Sequence, residues 1–323
     1  MGEEVAERPT AAGTWRARTT PPRIRVALDA MGGDYAPAAT VTGAMQAYKA
    51  GVDVVLVGQP VRLRAAMAGE GALGLLSVVP AAEVVSMDEE PALALHTKRD
   101  ASIRVAARLV AEGRADALVS AGSTGATLAA ALLLLGRLPG VRRPVVGALL
   151  PTKQGRVVLV DAGGLAAAQP EALVGYARMG VAYAGVLGVE EPRVGLLNVG
   201  LESGKGNALA KAAHELLHGL EGFVGNVEPD GVLRGSVDVV VTDGFTGNIF
   251  LKAVEAASGG SGDRAAVVLG VAGEVLVTHG AARATAVAEA VRMAAEAAAV
   301  DLSGQMAAQL ARGLGGLRPA GTP

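Results

Sequence analysis

The sequence contains no cysteine and very few aromatic residues: one Trp, four Tyr and three Phe among 323 residues. Without cysteine there are no disulfides, no thiolate metal ligands and no cysteine nucleophile. This is compatible with the reducing cytoplasm, where we expect the protein to act. Because aromatic residues make up only 2% of the chain, Ala, Val, Leu and Gly must fill its core. Such small residues let helices pack closely on a sheet, which favours an α/β fold over a helical bundle.

Long apolar runs and strong net charge are also absent. The strongest apolar run, residues 128–135, is far shorter than the ~20 residues that a membrane-spanning helix needs. A formal net charge of −2 offers no electrostatic argument for nucleic-acid binding. Residues 1–22 lack the apolar segment of a secretory signal. We therefore expect a disordered N-terminal extension at 1–22, a single α/β domain at 23–312 and a loose C-terminal tail at 313–323.

Short runs of Val, Leu and Ile alternate with helical segments from residue 23 onward. Near-continuous β-branched runs of this kind are typical of strands that are covered on both faces. The alternation predicts a largely parallel, multi-stranded sheet flanked by helices. Among the helices, we expect 38–49, 96–112, 170–187 and one long Ala-rich helix that ends near residue 314.

Gly-rich loops follow most of the predicted strands. If the crossovers are right-handed, these loops lie on one edge of the sheet, where open α/β sheets bind their ligands. Glycine lets backbone N–H groups converge, and each helix start adds the positive end of its dipole. The repetition predicts a site for a small anionic ligand. The loops read GGD (32–34), SAGSTG (120–125), DAGG (161–164), NVGLESGKGN (198–207), TDGFTGN (242–248) and THG (278–280).

Several common site motifs are missing. The loop at 200–206 is one residue short of a Walker A loop and lacks its hydroxyl, and no G-x-G-x-x-G follows a strand. No G-x-S-x-G nucleophile elbow is present. His214 and His218 are four residues apart on a predicted helix but belong to no H-E-x-x-H motif, so a solvent-facing pair is the better interpretation. We therefore predict neither a cofactor nor a metal.

Long motifs in the same order resemble the bacterial acyl-ACP:phosphate acyltransferase family (PlsX). The likeness runs from about residue 23 to 255 and resumes from about 269 to 293. It implies a fold like that of phosphate acetyltransferases and isopropylmalate-type dehydrogenases, usually as a homodimer. It also implies transfer of a fatty acyl group from acyl carrier protein to inorganic phosphate, which gives acyl phosphate for phospholipid synthesis. The motifs are LDAMGGDYAP, SAGSTGAT, PRVGLLNVG with GKGNAL, FVGNVE and VDVVVTDGFTGN.

By this resemblance, Lys205 and Asn248 are the candidate catalytic residues. A phosphate that attacks a thioester must be held and aligned, and the developing oxyanion needs a hydrogen-bond donor. Lys205 suits a phosphate dianion, and the Asn248 side-chain amide suits the donor role. The alternatives are a surface lysine and a helix N-cap asparagine. Further candidates for substrate or phosphate binding are Gly32, Asp34, Ser123, Thr124, Gly125, Asp161, Gly206, Asn207, Asp243, Thr246 and His279.

Several of the polar candidates have a structural alternative. Ser123 and Thr124 are equally suited to capping a helix, and Asp34 and Asp243 to orienting their loops through Asx-turns. His279 could act as an acid or base or be structural. A basic segment could meet the acidic carrier protein or form a solvated edge; it comprises Arg137, Arg142, Arg143, Lys153 and Arg156.

The sequence departs from the family in two places. Where the family resembles A-N-V-D-x-K-P-E, residues 164–171 read GLAAAQPE, so an amide, a carboxylate and a cation are missing. Between the helix after TDGFTGN and the strand before THG, a Gly/Ser segment replaces the family's amphipathic excursion, so we do not expect membrane association. Two alternatives to the acyltransferase stay open: a catalytically impaired subunit that binds the carrier protein or another partner, and a phosphotransacetylase-like enzyme that uses acyl-CoA.

Overall fold

The structure, a computed structural model, describes residues 24–165, 167–258 and 265–313. Its strands form one 11-stranded sheet with the order β3-β2-β1-β4-β11-β10-β5-β6-β9-β7-β8. The strands are β1 (Arg25–Asp29), β2 (Asp53–Gly58), β3 (Ser77–Pro80), β4 (Ala117–Ser120), β5 (Val145–Thr152), β6 (Gly155–Val160), β7 (Val194–Leu197), β8 (Phe223–Val227), β9 (Val239–Val241), β10 (Ala266–Leu269) and β11 (Glu274–Val277). The helices are α1 (Ala38–Lys49), α2 (Pro60–Gly69), α3 (Pro91–Thr97), α4 (Ser102–Ala111), α5 (Thr124–Leu134), α6 (Pro170–Val186), α7 (Ala208–Leu217), α8 (Pro229–Arg234), α9 (Gly244–Ala257), α10 (Ala284–Ala299) and α11 (Leu302–Gly313).

Helices cover both faces of the sheet. One face packs against α1, α2, α6, α7, α10 and α11, and the other against α3, α4, α5, α8 and α9. The small residues allow the close helix packing that their frequency predicts. A Cβ at Gly43 of α1 would lie 2.7 Å from Val287 of α10, and one at Gly180 of α6 would lie 2.5 Å from Val239 of β9. The predicted fold class, a mostly parallel sheet flanked by helices, is confirmed.

The sheet changes direction near its centre. β5 and β6 form a hairpin in which Thr152 lies opposite Gly155, and β10 is antiparallel to both β5 and β11. As a result, β1, β4 and β11 run parallel to one another, whereas β6, β9 and β7 form a second parallel group that runs the opposite way. The prediction that all Gly-rich loops lie on one edge is therefore wrong. The crossover rule orders strands only within a parallel run, and three antiparallel pairings separate the two runs.

Two predicted helices are each divided in the structure. The segment 96–112 breaks at Lys98, whose backbone leaves the helical region while its ammonium group bonds to Val84 O and Glu89. The Ala-rich C-terminal helix breaks at Asp301, a non-glycine residue with φ 49°. The helices at 38–49 and 170–187 are confirmed to within a residue. α8 was not predicted, because its six residues are too few to show a helical period.

Some predictions fall on segments outside the described residues. These are the N-terminal extension at 1–22, the C-terminal tail apart from its first residue, and most of the Gly/Ser segment that replaces the family's excursion. Within the ranges described, none of the helices combines the length and the apolar character needed to cross a bilayer.

Candidate active site

The loop that follows β6 is organised around the buried carboxylate of Asp161. This side chain is 0% exposed, and four backbone N–H groups donate to it. Those of Val146 (3.2 Å), Gly163 (3.0 Å) and Gly164 (2.7 Å) reach Oδ1, and that of Leu165 (2.9 Å) reaches Oδ2. Burial raises the pKa of Asp161, and these hydrogen bonds oppose the rise. Asp161 therefore fixes the conformation of the loop, and both of its carboxylate oxygens already accept hydrogen bonds from the backbone.

Helix α9 starts against this loop at very close range. The Gly244 N–H donates to Leu165 O at 3.0 Å. A Cβ at Gly247 would collide with the carbonyl oxygen of Asp161, and one at Gly244 would collide with that of Leu165. Only glycine allows this approach, which places the positive end of the α9 dipole beside the loop.

Asp243 caps α9, and Asn248 lies one turn further along. Asp243 accepts hydrogen bonds from the Thr246 N–H (2.9 Å) and from its hydroxyl (2.8 Å). Asn248, the fifth residue of the helix, is half-buried with its amide beside Gly163. The alternative that Asn248 is an N-cap is therefore wrong. Its amide has no hydrogen-bond partner within the described part of the chain, which leaves it available to a ligand.

Lys205 lies in the loop after β7, the strand that pairs directly with β9. Asn198, 8% exposed, donates from Nδ2 to Lys205 O at 3.2 Å and so holds the loop. A Cβ at Gly206 (φ 91°) would lie 2.5 Å from Asn198 Oδ1, so this turn requires glycine. Asn207 caps α7 by accepting from the Ala210 N–H at 2.8 Å. The Lys205 side chain is exposed, and its ammonium group makes no hydrogen bond or ion pair to any described residue.

Exposed apolar side chains lie on the same loop and helix as these polar groups. Val199 and Leu201 of the Lys205 loop are 78% and 63% exposed, and Phe245 and Ile249 of α9 are 61% and 54% exposed. Single exposed apolar residues are ordinary, but two on this loop and two in the first two turns of α9 add apolar surface at the same sheet edge. This edge of the sheet therefore offers a cation, an amide and exposed apolar side chains.

A second buried carboxylate, Asp29, organises the loops of the other strand group, and sequence reasoning missed it. Asp29 Oδ2 accepts from the Ser120 hydroxyl at 2.8 Å, and Ser120 Oγ accepts from the Gly122 N–H at 3.0 Å. A Cβ at Gly32 would lie 2.7 Å from both Asp29 Oδ2 and Gly122 N. Burial raises the pKa of Asp29. The signal was present, since Asp-Ala ends the buried run at residues 29–30 just as it does at 161–162.

The remaining candidates belong to this second group of loops. The Asp34 N–H donates to Gly280 O at 2.8 Å, which ties the loop after β1 to the loop after β11. Ser123 caps α5 through the Ala126 N–H at 3.3 Å, and Thr124 and Gly125 form the first residues of that helix. For Ser123 and Asp243, capping is thus the interaction that the structure shows.

His279 lies away from Lys205 and Asn248. Its Nε2 is 3.1 Å from Glu255 Oε2, near the end of α9. Asn248 and Glu255 are seven residues apart, or about 10 Å along the helix axis. Helix α9 thus bridges the two groups of loops, and His279 belongs to the far one.

The structure therefore divides the predicted residues into two sets. The set around α9 and the loops after β6 and β7 contains Asp161, Lys205, Gly206, Asn207, Asp243, Thr246 and Asn248. The set around the loops after β1, β4 and β11 contains Gly32, Asp34, Ser123, Thr124, Gly125 and His279.

Two residues of the divergent segment 164–169, Gly164 and Leu165, anchor it through their backbone groups. The N–H groups of Gly164 and Leu165 bond to Asp161, and the Leu165 carbonyl accepts from Gly244. Its side chains, however, offer no polar group before Gln169. The loop is thus held in place without the polar side chains that the family resemblance implies there.

The histidine pair on α7 packs against an aromatic ring. The rings of His214 and His218 are 4.8 Å apart edge to face, and Phe223 lies 5.4 Å and 5.8 Å from them. Burial, followed by the neighbouring His218, lowers the pKa of His214. Among the residues that the structure describes, no three His, Asp or Glu side chains are grouped as metal ligands would be.

Solved structures with the same fold include members of two enzyme groups. The EutD phosphotransacetylase from Staphylococcus aureus superposes with a TM-score of 0.61 at 18% identity, covering 85% of this chain and 94% of that one. A 4-hydroxythreonine-4-phosphate dehydrogenase from Klebsiella pneumoniae gives a TM-score of 0.54 at 16% identity, covering 85% and 98%. These similarities confirm the predicted phosphate acetyltransferase-like fold.

Sequence similarity is much closer to one family. Residues 24–260 match the family described as fatty acid synthesis protein. The phosphate acyltransferase of Nostoc punctiforme is 43% identical over 316 residues, which cover 85% of this chain and 93% of that protein. The phosphate acyltransferase of Desulfitobacterium hafniense strain Y51 is 49% identical over 240 residues, covering 73% and 72%. The chain belongs to the phosphate acyltransferase family, as the motifs of its strand-exit loops predict.

Proposed function

We propose that the protein transfers a fatty acyl group from acyl carrier protein to inorganic phosphate. A phosphate oxygen attacks the thioester carbonyl carbon, and the tetrahedral oxyanion then collapses with cleavage of the C–S bond. The products are acyl phosphate and the free thiol of the carrier, whose sulfur takes the proton that hydrogen phosphate loses. The acyl phosphate would enter phospholipid synthesis. Direct attack needs no enzyme nucleophile, which suits a chain without cysteine.

The observation that carries this proposal is the pair of unpartnered polar groups at one sheet edge. Lys205 and Asn248 follow β7 and β9, which are paired with Leu196 opposite Val241. An ammonium group and a side-chain amide on loops of neighbouring strands can hold a phosphate dianion and donate to an oxyanion. The α9 N-terminus adds its dipole beside them. We propose that Lys205 holds phosphate and that Asn248 stabilises the oxyanion.

The buried carboxylate of Asp161 and two helix-capping residues then position Lys205 and Asn248. Asp161 holds the loop that contacts Asn248, and Asp243 and Asn207 fix the starts of α9 and α7. The homodimer and the cytoplasmic location remain predictions. Size-exclusion chromatography with light scattering would test the first, and cell fractionation the second.

The test is release of free thiol from long-chain acyl-ACP, measured with and without phosphate, with hydroxylamine trapping of acyl phosphate. Loss of one charge-assisted contact costs about 1.5–3 kcal/mol, so Lys205→Ala should lower kcat/KM for phosphate about 10- to 150-fold. Asn248→Ala should lower kcat with less effect on the KM for phosphate. Lys211→Ala is the matched control, because this exposed lysine of α7 lies outside the loop.

Each outcome separates the candidate functions. Phosphate-dependent release that is lost with Lys205→Ala but kept with Lys211→Ala supports the acyltransferase. Release from acyl-CoA but not from acyl-ACP would instead indicate a phosphotransacetylase-like enzyme. The apolar segment 164–168 motivates a third outcome, in which the carrier protein binds but no thioester is cleaved. That result would identify a binding subunit.

A further inference from the structure

A large groove lies beside the candidate active site. Its volume is about 1600 Å³, above the ~300–1,000 Å³ of ordinary small-molecule pockets. Its walls are the 136–143 loop, helix α6, the turn after α7 and the end of α11. The 136–143 loop precedes β5, whose first residues pair with the last residues of β6. One end of the groove therefore lies at the sheet edge where β6 reaches Asp161.

The α6 wall of the groove contains a buried hydroxyl that has no partner among the described residues. Tyr176 of α6 is 1% exposed, and its hydroxyl oxygen makes no hydrogen bond to any described residue. Burial, followed by the charge of Asp161, raises the pKa of Tyr176 to about 12, so the hydroxyl stays a donor at neutral pH. Because a buried, unsatisfied donor is unfavourable, a ligand group that accepts from it would be stabilised.

On either side of Tyr176 the walls are mostly apolar. They include Val174, Met179, Val181, Ala182 and Leu310. From Gln169 to Ala182 the groove follows α6 for roughly 20 Å, which is comparable with an extended long fatty acyl chain. Arginines outnumber acids along the rim, which suits an acidic carrier protein at the thioester end of such a ligand. They are Arg137, Arg142, Arg143, Arg178 and Arg312, against Glu171 and Glu221.

We propose that this groove holds the fatty acyl chain of the thioester donor, and that the Tyr176 hydroxyl donates a hydrogen bond to the polar group where the chain joins the thioester. The proposal rests on the proposed acyl transfer and names the site that selects the chain length. A largely apolar groove whose wall contains one buried, unpartnered donor matches a ligand that is apolar along its length and has one polar group.

Gly175 offers a clean way to block the groove. It lies on α6 in the groove wall, and a Cβ built there meets no atom within 4 Å. Gly175→Phe should therefore fold normally and gain helix propensity while its ring fills the channel. Gly175→Ala adds only a methyl group. Gly69→Phe is the matched control, because Gly69 also lies in a helix with nothing within 4 Å but is outside the groove.

The experiment compares palmitoyl-ACP with butyryl-ACP in the full-length protein. Each buried methylene contributes about fourfold to binding, so loss of two or more should lower kcat/KM for palmitoyl-ACP over tenfold in Gly175→Phe. Gly175→Phe should change kcat/KM for butyryl-ACP by less than twofold. The control variants Gly175→Ala and Gly69→Phe should change kcat/KM by less than twofold for either substrate. Tyr176→Phe should lower kcat/KM about tenfold for both chain lengths without lowering the melting temperature.

Binding of a fluorescent long-chain fatty acid decides the proposal independently of turnover. Saturable binding to the wild type that is weakened over tenfold by Gly175→Phe supports the groove even if no thioester is cleaved, in which case only the proposed function fails. Equal effects of Gly175→Phe on both acyl chains, or no effect of Gly175→Phe on either, would overturn the proposal. So would a Gly175→Phe variant whose only change is loss of a dimer, because a second copy would then cover the groove.

Discussion

Replacing Asp161 by asparagine should loosen the loop that contacts Asn248. The carboxylate accepts four backbone N–H groups, three at Oδ1 and one, from Leu165, at Oδ2. Asparagine can keep the three at its oxygen, but its NH₂ group then faces the Leu165 N–H, and two donors repel. Loss of one charge-assisted hydrogen bond costs about 1.5–3 kcal/mol.

Two effects modify this estimate in opposite directions. The three retained hydrogen bonds weaken, because their acceptor is no longer charged. Against this, the neutral amide avoids the desolvation that raises the pKa of Asp161. We therefore expect Asp161→Asn to lower the free energy of unfolding by about 1–3 kcal/mol, which lowers the melting temperature by roughly 2–10 °C. Because Gly163 touches Asn248, kcat should fall tenfold or more.

The assay combines urea denaturation with phosphate-dependent thiol release. Asp230→Asn is the control, since this carboxylate is 70% exposed in its ion pair with Arg234 and should change stability by less than about 0.5 kcal/mol. If Asp161→Asn is as stable and as active as the wild type, the four hydrogen bonds do not organise the loop. If it is destabilised but fully active, the loop does not position Asn248.

Three further predictions concern single contacts. Gly247→Ala should cost more than about 3 kcal/mol or prevent folding, because its methyl group would collide with the Asp161 carbonyl, and soluble yield with circular dichroism would show this. Tyr176→Phe should keep or raise the free energy of unfolding in urea, by up to about 1 kcal/mol, because it deletes a buried hydroxyl that has no partner. Burial raises the pKa of Glu274 in the folded protein, so the protonated carboxyl group is the form that favours folding. This contribution to stability is complete below the usual carboxyl pKa and is lost as the pH rises through the pKa of the folded state. Glu274→Gln keeps an acceptor for the Ser303 N–H but does not titrate, so its melting temperature relative to the wild type should rise from pH 5 to pH 8. A constant difference across that range would contradict the assignment.

Much of the local structure could be predicted because it depends on neighbouring residues. Continuous Val and Leu runs mark the buried strands, and the helix at 38–49 matches the structure residue for residue. The capping alternatives for Ser123 and Asp243 were also visible, since such residues precede helices for a local reason. Breaks inside helices were not visible, because the Lys98 side chain at the break bonds to Val84 and Glu89, which lie outside the helical segment, 14 and 9 residues earlier.

By itself, the sequence determined the fold class, the family and the loops that carry the candidate residues, because runs, spacing and motifs are properties of consecutive residues. Only the tertiary structure decided which loops meet. The β5–β6 hairpin and β10 reverse the sheet, so Lys205 and Asn248 share an edge while His279 lies with Glu255 about 10 Å along α9. The burial of Asp29 and Asp161 and the unpartnered hydroxyl of Tyr176 were likewise decided there, because burial and hydrogen bonding arise between segments that are distant in sequence.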